Sequence, residues 1–310
     1  FDANCQYNVE SPATAAADAF TLTGFGGAKG GPTYENDHGA GTDETGTSTI
    51  EWPSVVWDGG AATNSWNTAG NWSPDAVPTG TDNVKIPSVP SVNNVFPMLN
   101  TSTTVGSLLI EDGASVTTDT NARNLTINGT LTLETNAGAG RDAIVSWDST
   151  GTLRADGLVI NEGRMFHRST GVFDFNSNVT MTSSTARLES SGSGTMDIEG
   201  SLTVAGTLVP QRLTVAGNLD VSSGTFTTGT SVVTMDGASG TVNVGAGSFY
   251  RLSIPSGSTY TAPSSATLTV SNRLVVGGTL NIAGPFTITG TLDPITGTVN
   301  YSGAAAQTIA

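Results

Sequence analysis

A single cysteine, Cys5, serves a chain of 310 residues, so no internal disulfide framework and no thiolate metal cluster can be built. Lysine is nearly as scarce. Lys29 and Lys85 are the two, and with the arginines they make 11 cations against 26 acids, a formal net charge of −15. No basic cluster interrupts that balance, which excludes nucleic acid and anionic membrane surfaces, since both need a positive field to offset phosphate repulsion. No apolar run approaches the ~18 residues that a bilayer span requires, so no membrane insertion is expected. His38 and His167 are the only histidines, far apart in sequence from each other and from Cys5, and leave no ligand set for a catalytic zinc. Aromatic residues are 6% and charged residues 12%, too few for helices laced with charge.

What the chain has in quantity is glycine, 39 residues of it, together with Thr, Ser and Asn set between short apolar pairs. That texture favours β structure with many turns. Within it one phrase returns: LTINGTLTL from Leu125, LTVAGTLVP from Leu202, LTVAGNLDV from Leu213, LVVGGTLNI from Leu274 and FTITGTLDP from Phe286. In the first copy Leu125, Ile127, Leu131 and Leu133 share one parity while Thr and Asn take the other, the pattern of a strand with one buried and one wet face. Gly129, Gly206, Gly217, Gly278 and Gly290 all fall on the buried parity. A glycine there lets the backbone turn a corner or approach its neighbour without a Cβ in the way.

Longer echoes support the pattern. VGSLLIEDGASV from Val105 matches FYRLSIPSGSTY from Phe249, and VVTMDGAS from Val232 anticipates TVNYSGAA from Thr298. Units of this kind cannot bury a face alone but share a core when stacked. The expected fold is all-β, a parallel β-solenoid of about ten coils at ~4.8 Å per coil. Its expected divisions are residues 1–50 as an irregular acidic, Gly-rich arm, 51–104 as a Trp/Pro-rich capping module, and 105–310 as the solenoid.

The segment WDGGAATNSWNTAGNWSPDAVPTGTDNVKIP, followed by SLLIEDGASV and LTINGTLTL, resembles large secreted bacterial surface proteins with adhesin-like β-helix repeats. In that group a Trp-Asn-x-x-x-Asn-Trp element and a downstream Val-Pro-x-x-x-Asp-x-Val precede runs of L-x-I-x-x-G-x-L. The likeness covers about residues 55–310. It implies an extracellular scaffolding or adhesive role and carries no catalytic residues with it.

Residues suited to chemistry are few. Asn36, Asp37, Asp43 and Glu44 supply hard oxygen ligands around flexible glycines and are the candidates for calcium, although the D-x-D-x-D-G spacing is lacking and a solvated acidic turn fits them as well. Asp197 and Glu199 stand two apart on one strand parity, and Asp174 would join them if coils stack in register. That is a carboxylate grouping that a polysaccharide hydrolase would need, and that an acidic solenoid would also carry for solubility. Trp57, Trp66 and Trp72 offer either a platform for glycans or a hydrophobic cap over the first coil. His167, in HRST, is expected on the surface, with no G-x-S-x-G elbow to make it part of a triad.

The sequence therefore points to a structural protein with no catalytic residues: a stalk, surface-layer element or filament subunit. Its expected partner is another copy of itself, joined head to tail, with surface glycans as a further possibility. The start at Phe1, without an initiator Met, suits a secreted protein after removal of a signal peptide. The end, in mid-phrase at YSGAAAQTIA, suits either an uncapped stack that pairs with a second copy or a piece of a longer chain.

Overall fold

In a computed structural model of the chain, the residues described are 55–134, 142–293, 296–303 and 307–309. They form a parallel β-solenoid of about ten coils, with three strand-bearing faces per coil. Among them the one helical piece is a short 3-10 turn, Ala69–Asn71.

The first face runs from Thr103–Val105 through 125–127, 152–155, Val172–Phe175, Thr195–Ile198, Arg212–Val215, Val232–Met235, 251–254 and 273–276 to Thr291–Asp293. The second begins earlier, at Val55–Trp57 and Asn83–Ile86, and passes through Ser107–Ile110, 131–133, 157–160, Val179–Met181 and Leu202–Val204 to Leu219–Asp220 and 242–243. The third carries Met98–Leu99, Ser115–Thr118, Ile144–Trp147, Arg164–His167, Arg187–Ser190, Thr207–Val209 and Thr225–Phe226. The described part of the 51–104 segment thus already contributes strands to the stack. One pairing is antiparallel: Trp72–Ser73 lies along Val55–Trp57, which also pairs with Asn83–Ile86.

The stack breaks step once. On the second face 242–243 pair back with 219–220, while 239–241 pair forward with Thr259–Ala262, so Gly240 stands beside Tyr260. A Cβ on Gly240 would come within 2.7 Å of the Tyr260 ring, which is why the residue under that ring has no side chain. The second face then continues through Thr279–Ile282 and Thr298–Tyr301. The third face resumes at Phe249, whose ring packs edge-on to Phe226 at 5.2 Å, and continues through 268–270, Phe286–Ile288 and Gln307–Ile309.

Inward positions line up coil upon coil. On the first face Leu125, Leu153, Phe173, Met196, Leu213, Val233, Leu252, Leu274 and Leu292 form one column. On the third, Val116, Val145, Met165, Leu188, Leu208 and Phe226 form another. All belong to one continuous core or pack against it. Burying each such side chain is worth about 1.5–3 kcal/mol, and no coil could bury its inward face alone.

The five phrase glycines sit at corners, but not at one corner. The phrases at Leu125, Leu213 and Leu274 turn from first face to second, the one at Leu202 from second to third, and the one at Phe286 from third to first. This explains their uneven spacing, because the phrase is the unit of a corner and not of a coil. None of the five has a positive φ; what each requires is space. A Cβ on Gly206 would overlap the carbonyl of Ala186, on Gly278 that of Ser258, and on Gly290 that of Asn272. On Gly217 it would lie 2.6 Å from Ser201 Oγ, and on Gly129 3.0 Å from Gly106 O. The glycines therefore let neighbouring coils touch backbone to backbone. Gly113 and Gly257, paired in the longer echo, are different: φ of +78 and +87 places both in left-handed turns.

Candidate functional site

Trp57, Trp66 and Trp72 come together as one buried cluster. Trp72 stands edge-on to both others, with ring centroids 4.9 Å from Trp57 and 4.8 Å from Trp66. The Trp57 indole N–H donates to Val95 O at 2.6 Å and that of Trp72 to Trp66 O at 2.8 Å. All three are 0% exposed, so no indole face is open to a sugar ring, and the expected glycan platform is corrected on that ground. Sequence reasoning missed Asn71, which organises the loop around them. Its side chain donates to Thr63 Oγ1 and Ser65 O and accepts from Ala61 N–H, while its carbonyl accepts from the N–H groups of Asp58 and Gly59. The second Asn of the Trp-Asn-x-x-x-Asn-Trp element was its visible signal.

The acidic candidates lie on the outer surface of the first face. Asp174 and Asp197 are in register on adjacent strands, as stacking requires, and Glu199 follows Asp197 at an exposed position. Arg154, one coil below, approaches Asp174 at 3.6 Å and donates to Asn176, which in turn donates to Asp156. Partial burial, then the charges of Glu199, Asp236 and Asp174, hold the Asp197 carboxyl above its ordinary range. The group is thus a column of carboxylates on a strand surface, tied at one end by a guanidinium and an amide.

His167 is not on the surface. It occupies an inward position at the end of Arg164–His167, between Trp147 and Ser190 in register, and is fully buried. Its ring stacks on Phe173 at 4.5 Å and 30°. The Met165 to His167 alternation marks the inward parity, but the polar text that follows, Arg168-Ser169-Thr170, reads as loop and hides it. The residues around it make a polar wedge in the core. Buried Ser149 accepts from the N–H groups of Arg123 and Gly151, and Thr118 Oγ1 accepts from those of Asp148 and Ser149.

A hollow between Pro78, Gly80, Thr103, Thr104, Asn124 and Thr126 has no ionisable side chain in its lining and offers no acid, base or activated nucleophile. Among the described residues no group of three or more His, Cys, Asp or Glu is placed to hold a metal ion, and no helix is long and apolar enough to cross a membrane. The calcium candidates Asn36, Asp37, Asp43 and Glu44 lie outside the described residues, as do Cys5, Lys29 and His38. No family model, no curated protein and no solved structure matches the chain.

Proposed function

We propose that this chain is an extracellular structural protein, a β-solenoid that serves as a stalk, surface-layer element or filament subunit and joins copies of itself end to end. The observation behind this reading is the stack. Each coil pairs with the one before and the one after, and the inward columns continue from coil to coil without an enclosed chamber being needed. Such a body sets a distance and presents repeating side chains; its natural extension is another coil.

Strand edges at the end of a parallel stack accept backbone hydrogen bonds from a further strand, and a head-to-tail contact that does not close a ring propagates as a fibre. The extracellular placement rests on the resemblance to bacterial surface proteins and on the scarcity of Cys and Lys; an adhesive role follows from the same resemblance. Electron microscopy and sedimentation of the purified chain test the assembly. Filaments or a concentration-dependent series of oligomers are expected, and a monomer at every concentration overturns it.

A further inference from the structure

We propose that His167 is an acid-sensitive latch in the middle of the solenoid: neutral, it holds the corner between the third and first faces shut, and protonated, it loosens the coils around it. This goes beyond the structural reading and does not rest on it.

The geometry defines the neutral state. His167 Nε2 lies 2.9 Å from Gly171 O, and a carbonyl only accepts, so Nε2 carries the hydrogen. Nδ1 is then the lone-pair nitrogen, and Ser190 Oγ, at 3.3 Å on the next coil, donates to it. The latch therefore ties its own corner, through Gly171, to the coil above, through Ser190. The fit is close: Gly194 has no side chain, and a Cβ there would come within 2.5 Å of the imidazole Cε1.

Protonation puts a hydrogen on Nδ1. Ser190 would have to turn and accept it, sending its own hydrogen toward Gly192 O at 3.5 Å, at the limit of a hydrogen bond. The cation would remain between Phe173 and Trp147 in a core that supplies no counter-charge. Each neighbouring element turns its charges outward. Arg164 pairs with Asp142 and Arg187 with Glu189 on the third face, and Arg154 lies by Asp174 on the first. Arg168, next in the chain, is a like charge, with its guanidinium over Phe166 at 4.7 Å and on Ser146 Oγ at 3.0 Å. Asp148 follows Trp147 just past the end of its strand and stands 3.4 Å from Ser146 Oγ, in a half-buried position. Burial is accordingly what displaces the His167 titration, downward, with the Gly171 carbonyl opposing it.

The direction follows from linkage. A histidine whose folded pKa is lowered leaves stability untouched above the unfolded value near 6.5. As pH falls from there toward the folded value, the unfolded chain takes up a proton that the folded one refuses, and stability drops. The expected effect is a shift of the unfolding equilibrium toward the unfolded state approaching tenfold per pH unit in that window.

The test is urea unfolding of the full chain at pH 7.5, 6.5 and 5.5, for wild type and His167→Gln, with amide hydrogen exchange across 163–194. Wild type should lose stability between pH 6.5 and 5.5, with exchange accelerating first at 163–171 and 187–194, and His167→Gln should lose that dependence. An equal pH slope in both proteins overturns the latch. Should His167→Gln fail to fold, imidazole NMR of His38→Gln, in which His167 is the one remaining histidine, decides the matter. A ring in the Nε2–H form that resists protonation at pH 6 supports the latch, and an ordinary titration near 6.5 overturns it.

Discussion

The coils before residue 236 and those after 249 are built on the same three faces yet fill them differently. The earlier group carries a polar wedge in its core, with His167, Ser190 and Ser149 among the aromatics, and a paired or crowded column of charges outside. The later group has a core of apolar side chains in which Tyr260 is the largest polar-tipped member, and from 237 onward its charged side chains are Arg251, Arg273 and Asp293 alone. All three lie on the first face, where Arg273 pairs with Asp293. The second face there shows Ser239, Thr259, Thr279 and Thr298 in one outward column and Thr241, Thr261, Asn281 and Asn300 in the next. A three-sided stack therefore accepts either style, provided the inward columns and corner contacts are kept.

The sharpest way to break this comparison is through the cores. Phe173→Ala removes a ring that touches Trp147, His167 and Phe175, and should destabilise by about 3–5 kcal/mol in chemical denaturation. Leu274→Ala, in the apolar group, should lose about 2–5 kcal/mol without altering the pH dependence of unfolding. The corners come next. Gly206→Ala sets a methyl against Ala186 O and should destabilise by about 1–3 kcal/mol, whereas Gly129→Ala, with 3.0 Å to the nearest backbone atom, should lose clearly less in the same assay.

The junction between the two groups is tied by one phenol. Tyr260 Oη donates to Ala216 O at 2.6 Å and accepts from Gly237 N–H at 3.1 Å, so one side chain bridges three successive coils. Tyr260→Phe keeps the ring and strands both backbone groups, for a loss of about 1–3 kcal/mol. Protection of the Gly237 amide against hydrogen exchange should fall with it.

The smallest effect is electrostatic. The raised Asp197 carboxyl means that its charge is less welcome in the folded chain than in the unfolded one. Asp197→Asn should therefore raise the melting temperature slightly at pH 7, and the advantage should fade as pH falls through the folded titration of Asp197. That sign is opposite to the one expected of His167, so the two separate in a pH series. A melting temperature lowered by Asp197→Asn at pH 7 would show that the carboxylate column is held by contacts rather than strained by repulsion.

Much of the architecture was legible. Leu125, Ile127, Leu131 and Leu133 declare an inward face by parity alone, and the phrase glycines declare close approach because a Cβ is what each site refuses. The face that each phrase occupies was not legible, since L-T-V-x-G fits any of the three corners and only hydrogen-bonded register tells Leu202 from Leu213. The in-register meeting of Asp174 and Asp197 followed from stacking. The burial of His167 did not, because an imidazole serves a core or a surface and the choice is made by distant partners such as Phe173; for the three tryptophans the sequence offered a buried cap beside an open platform, and partners as distant as Val95 decide for burial.

A corner phrase that is shorter than a circuit has an evolutionary corollary. Duplicating or deleting one phrase, which carries a strand on each of two faces, would shift everything downstream by two of the three faces, turning the Thr column of 259, 279 and 298 away from the side on which it now stands. Gains and losses that preserve which surface faces which neighbour must then arrive as full circuits, or as partial ones that cancel, and this places the permissible sites of length change at whole-circuit intervals.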